Sequence, residues 1–120
     1  MSGGPALLAG RRLLLVKDDF FLADDLANGL AARGAVVVGS AATVDDALDL
    51  VDAGRIDGAV LDINLGGEQA YPVADALMRR GVPFVFTTGY DQAVIPARFG
   101  GVARCEKPVD PARVERALFG

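Results

Sequence analysis

At 120 residues the chain has the length of one domain and can bury a single core without disulfide or metal staples. Its 52% apolar and 23% charged content is ordinary for a globular protein, and a formal charge of −4, from 16 acids against 12 bases, argues against an electrostatic hold on nucleic acid or an anionic membrane. The single cysteine, Cys105, excludes an intramolecular disulfide, and the absence of histidine excludes imidazole triads, imidazole metal ligands and phosphohistidine chemistry.

The first ten residues, MSGGPALLAG, are small and glycine-rich and predict a flexible lead-in, with the domain proper spanning 11–120. No apolar run approaches the ~20 residues of a membrane helix, and no signal-peptide pattern is present. Together with the lone cysteine, this predicts a soluble protein of the reducing cytoplasm.

From residue 12 onward, short apolar runs alternate with longer segments of helical period, the pattern of repeated strand-helix units around a parallel sheet. The predicted strands are 12–16, 35–40, 58–62, 82–87 and 102–106. Four of the five are apolar on consecutive residues, as strands covered on both faces require. The first helix, over 20–34, places Leu26, Leu30 and Ala31 at helical spacing and stops at Gly34. The second begins at Thr43, a good cap, and ends at Gly54. A third covers 70–81. The stretch 91–101 carries Pro96 and two glycines and predicts a short or irregular element. The last helix starts with Asp110 as cap and Pro111 at its first position.

Ligands of an open parallel sheet bind outside the carboxyl ends of its strands. Here those ends carry Asp18 and Asp19 on strand one, Asp62 on strand three, Thr87 and Thr88 on strand four and Lys107 on strand five. Clustered carboxylates repel one another and recruit a divalent cation such as Mg²⁺. A lysine and a hydroxyl beside them suit a transferred phosphoryl group, so the set fits an aspartyl phosphate. Each residue also has a plain structural use. Asp19 can start a helix, Asp62 can be a loop carboxylate, Lys107 a solvated charge and the threonines strand formers. Their joint placement at successive strand ends favours the chemical reading.

Asp18, Asp62, Thr88 and the pair Lys107–Pro108, in that order, resemble the receiver domain of two-component response regulators over residues 11–119. The resemblance implies an α/β, flavodoxin-like (CheY-like) three-layer sandwich, a five-stranded parallel sheet of order 2-1-3-4-5 with five helices, the fourth short or irregular. It implies that Asp62 accepts a phosphoryl group from a histidine kinase or histidine phosphotransfer protein. Asp18, Asp62 and the backbone carbonyl of Asn64 would hold Mg²⁺, Thr88 would donate a hydrogen bond to a phosphoryl oxygen, and Lys107 would pair with another. The Lys107–Pro108 bond would be cis, which proline permits at modest cost. Self-phosphorylation from small phosphodonors and slow self-dephosphorylation would be the only intrinsic chemistry. Output would pass to a downstream protein that the residues do not identify, and homodimerisation is left open.

The run FTTGY, Phe86 to Tyr90, resembles a subset of single-domain receivers with a Phe-Ala-Thr-Gly signature, with Thr87 in place of Ala. Three positions depart from the wider pattern. Lys17 stands where the family has the first of two acids, leaving Asp18 as the second; Asp19 then falls one place beyond, as a helix-start carboxylate or an acid reaching the metal through water. Arg104 replaces the rotating aromatic of strand five. Tyr90 lies two past Thr88, where a side chain can govern water access to the phosphoaspartate. A second reading takes Lys17 as a substitute for the metal and the chain as a receiver-shaped docking module independent of phosphorylation. A third, an unrelated hydrolase or nucleotide-binding protein, is opposed by the missing second acid after Asp62 and the missing glycine-rich phosphate loop.

Overall fold

The computed structural model describes residues 7–18, 20–88, 95–106 and 109–120, and omits the side chains of 20–23. The strands β1 (Arg12–Val16), β2 (Val36–Ala41) and β3 (Gly58–Asp62) alternate with the helices α1 (Phe20–Ala32) and α2 (Val44–Ala53). A two-stranded hairpin follows, β4 (Asn64–Leu65) and β5 (Glu68–Gln69), and then α3 (Tyr71–Arg79), β6 (Phe84–Thr88), a 3₁₀ turn at Ala97–Phe99, β7 (Arg104–Glu106) and α4 (Pro111–Phe119).

Five strands form one parallel sheet in the order β2-β1-β3-β6-β7. Leaving out the hairpin, this is the expected 2-1-3-4-5. The central strands are apolar on both faces because each face is covered. Leu14, Val16, Ala59, Leu61, Phe84 and Phe86 pack with α2 and α3, while Leu13, Leu15, Val60, Val85 and Cys105 pack with α1 and α4. The result is a three-layer α/β sandwich.

Local chemistry sets the element ends. Thr43 Oγ1 accepts from the amide of Asp46 at the start of α2, and Asp110 Oδ1 accepts from Ala112 ahead of α4, whose first residue is Pro111. The segment expected to be irregular contains only a three-residue 3₁₀ turn among its described residues, so four α-helices are described where five helices were expected. That turn is fastened by Phe99, buried in a ring cluster with Tyr71, Phe84 and Phe86.

Two further features differ from the sequence reading. Residues 7–10, assigned to the flexible lead-in, form a turn whose Leu8 is fully buried; its amide donates to Glu115 Oε2 at 3.2 Å, while Arg33 grips Oε1 at 2.9 Å. Apolar burial and a buried carboxylate outweigh the small residues around Leu8. The hairpin after β3 was also unforeseen. Its two-residue loop, Gly66–Gly67, holds φ of 58° and 107°, a left-handed pair that glycine adopts without strain.

Candidate functional site

Because β3 lies between β1 and β6, the residues that end these three strands share one rim of the sheet. Side chains alternate between faces along a strand. Asp62 therefore falls on the α1/α4 face with Val60, and Thr87 with Val85. Asp62 and Thr87 are direct register partners across β3 and β6. Lys17, one residue past β1, continues the parity of Leu13 and Leu15, and its Nζ donates to Thr87 Oγ1 at 3.1 Å.

All three are nearly inaccessible: Lys17 is 5% exposed, Asp62 4% and Thr87 0%. They make up three of the four buried polar or charged residues described, the fourth being Glu115 beneath the turn at 7–10. Burying a charge is costly unless it is paired and hydrogen-bonded. Among the described residues, no buried side-chain nitrogen or oxygen lacks a partner, and those of this cluster are no exception.

Around this buried set stands an exposed margin. Asp18 is exposed, and its Oδ2 lies 3.6 Å from where a Cβ on Gly66 would be, which places its carboxylate against the hairpin loop. Asn64 is exposed at the start of β4, and half-buried Thr88 ends β6 opposite Glu106. Glu68 of the hairpin accepts from the amide of Val44 at 3.0 Å, tying the loop after Asp62 to the start of α2. On the β7 side, burial pushes the Cys105 thiol up, against the pull of the Arg113 and Lys17 charges, so this cysteine is an inert core group.

Of the residues singled out from the sequence, the fold brings Lys17, Asp18, Asp62, Asn64 and Thr88 to one end of the sheet. Arg104 begins β7, opposite Phe86 and well before the rim, and is exposed. Asp19, Tyr90, Lys107 and Pro108, with the expected cis bond, lie outside the described residues. Among the described residues no three His, Cys, Asp or Glu side chains gather to hold a metal ion, so the acidic trio expected there is represented by Asp18 and Asp62. Sequence reasoning missed the Lys17–Thr87 bond, although the parity of Leu15 to Lys17 and of Val85 to Thr87 carried the signal.

No family model matches the chain. SdrG from Sphingomonas melonis Fr1 is similar in structure, with a TM-score of 0.81 and 39% identity over 91% of this chain and 93% of that one. The BeF3-activated conformation of SdrG, from Pseudomonas melonis Fr1, gives a TM-score of 0.74 at 40% identity, covering 92% and 94%. A CheY-like response regulator receiver domain protein from Methanospirillum hungatei JF-1 gives 0.74 at 25% identity, covering 90% of each chain. The chain belongs to the receiver-domain family of response regulators.

The receiver is also 31% identical to the sensory transduction protein LytT of Bacillus cereus over 111 residues, 89% of this chain and 45% of that protein. It thus spans less than half the length of the curated relatives it matches. Among its described residues no helix is long and apolar enough to cross a membrane.

Proposed function

We propose that this receiver is a phosphoacceptor in a phosphorelay, with Asp62 taking the phosphoryl group from a histidine kinase or histidine phosphotransfer protein. The observation that carries this reading is the setting of Asp62: a buried carboxylate at the end of the central strand, register-paired to Thr87, with Thr88 and Asp18 on the same rim. A carboxylate oxygen of Asp62 attacks phosphorus, the bond to the donor's leaving group breaks, and that group departs with the bonding pair. Thr88 donates to a phosphoryl oxygen and Lys107 pairs with another. Arg104, exposed on β7, leaves the burial of an aromatic ring there out of the switch.

The donor set fits Mg²⁺. Asp18, Asp62 and the Asn64 carbonyl are hard oxygen ligands, and this ion is commonly held by one or two carboxylates while keeping several waters. When bound, it would offset charge on the phosphoryl oxygens.

The output is a changed surface read by a downstream protein, and the only intrinsic chemistry is self-phosphorylation and slow hydrolysis. Acetyl phosphate with Mg²⁺ should add one phosphoryl mass, read by intact mass spectrometry and abolished by Asp62→Asn. A mass gain that survives this substitution sinks the proposal. The absence of any gain favours a second reading, a docking module independent of phosphorylation, which has its own support in the ammonium of Lys17 buried where the family places an acid.

A further inference from the structure

Lys17 reaches across a strand. β1 and β6 are not neighbours, since β3 separates them, and adjacent strands lie about 4.8 Å apart. The 3.1 Å bond from Lys17 Nζ to Thr87 Oγ1 therefore carries the ammonium over the end of β3, where Asp62 stands on the same face. A lysine where the family has an acid and a threonine where the Phe-Ala-Thr-Gly subset has alanine meet in one bond. A cation is thereby held inside a desolvated site that contains the acceptor.

Phosphoryl transfer changes the charge of that site. The Asp62 carboxylate carries −1 and its acyl phosphate −2. With acetyl phosphate as donor, acetate leaves with the electron pair and no proton moves, so the extra negative charge must be met where it forms. A preorganised cation in a water-poor site meets it without reorganisation of solvent. The ammonium has three donors, and the one given to Thr87 makes a neutral contact, weaker than the charge-assisted bond a phosphoryl oxygen offers, while Lys17 keeps other interactions in the site.

Building on the reading of Asp62 as acceptor, we propose that Lys17 is a phosphoryl-binding residue: its ammonium turns from Thr87 Oγ1 to a phosphoryl oxygen once Asp62 is modified. Thr87 acts as its parking site in the unmodified state. Transfer then depends on a divalent cation less than it does at a site with an acid at this position.

The test labels the full chain with acetyl phosphate in saturating Mg²⁺ and in EDTA, comparing wild type, Lys17→Met and Lys17→Arg. Removing Mg²⁺ should slow wild type and Lys17→Arg by no more than about threefold, whereas Lys17→Met in EDTA should fall about tenfold below wild type, the worth of one charge-assisted contact. Fluorine NMR of bound beryllofluoride gives a readout independent of turnover: one fluorine resonance should move in Lys17→Met while the others stay. Its binding by Lys17→Met shows that the variant is folded. If EDTA abolishes wild-type labelling and the fluorine spectra of wild type and Lys17→Met coincide, the role of Lys17 is overturned while Asp62 remains the acceptor. Failure of wild type to label even in saturating Mg²⁺ overturns both.

Discussion

Glu68 Oε1 accepts a 3.0 Å hydrogen bond from the backbone amide of Val44, so the hairpin that follows β3 is stapled to the first turn of α2. Thr43 caps the same turn through Asp46, and the two side chains between them satisfy two of the amides a helix start leaves open. The negative charge of Glu68 at this end is also favourable to the helix dipole. Glu68→Ala should lower stability by about 1 kcal/mol, and Glu68→Gln by less, read as shifts in the urea midpoint at constant slope.

Leu8 is completely buried against α1, α4 and the sheet, in a segment whose sequence reads as a tail. Leu8→Ala should cost about 3 kcal/mol, as large-to-small changes in a packed core do. A change below about 0.5 kcal/mol, typical of a surface site, would show that the turn at 7–10 is not seated in solution.

Gly29 inverts an ordinary rule. In a helix interior alanine is favoured over glycine by about 1 kcal/mol. A Cβ at Gly29 would lie 2.5 Å from Cγ of Pro111, a stiff ring at the start of α4, so α1 and α4 approach more closely than a methyl group allows. Overpacking typically costs about 1–3 kcal/mol, enough to cancel or exceed the propensity gain. Gly29→Ala should therefore lower the melting temperature, and pairing it with Pro111→Ala should recover part of the loss.

Arg98 holds Asp75 through two bonds of 2.9 and 3.0 Å, anchoring the 3₁₀ turn to α3. The hydrogen bond to Arg98, aided by its charge, keeps the Asp75 carboxyl below its ordinary 3.8, while partial burial opposes this. A depressed carboxyl stabilises the fold above the ordinary value and loses that contribution as pH falls through the folded one. Asp75→Asn should thus melt slightly below wild type at neutral pH, with the gap closing in acid below pH 3.8. A gap that is constant with pH would contradict the pairing.

Much of the fold was legible because the strongest signals are local. β1 and β3 coincide with their predicted spans, since uninterrupted apolar runs bounded by charge leave little freedom for a strand end. β6 starts at Phe84, two residues later than predicted, because apolar Val82 extends the pattern past Pro83, which accepts from the Ala59 amide but has no N–H to donate to the ladder. The hairpin escaped because two-residue strands are too short to show alternation; only Gly66–Gly67 marked it. At the site, Asp18 and Asp62 announced themselves by type and position. The Lys17–Thr87 bond joins residues 70 apart, and it becomes visible only when strand order and side-chain parity are combined.

The ring cluster has a use beyond packing. Tyr71 stacks on Phe99 at 5.6 Å and meets Phe86 edge-on at 6.2 Å, and Phe86 directly precedes the threonines of the rim. The chain has no tryptophan and only two tyrosines. Its phenol emission therefore comes from two side chains, one of which, Tyr71, packs edge-on against Phe86, the residue before Thr87. The molecule carries its own optical probe beside the strand that ends at Thr87 and Thr88.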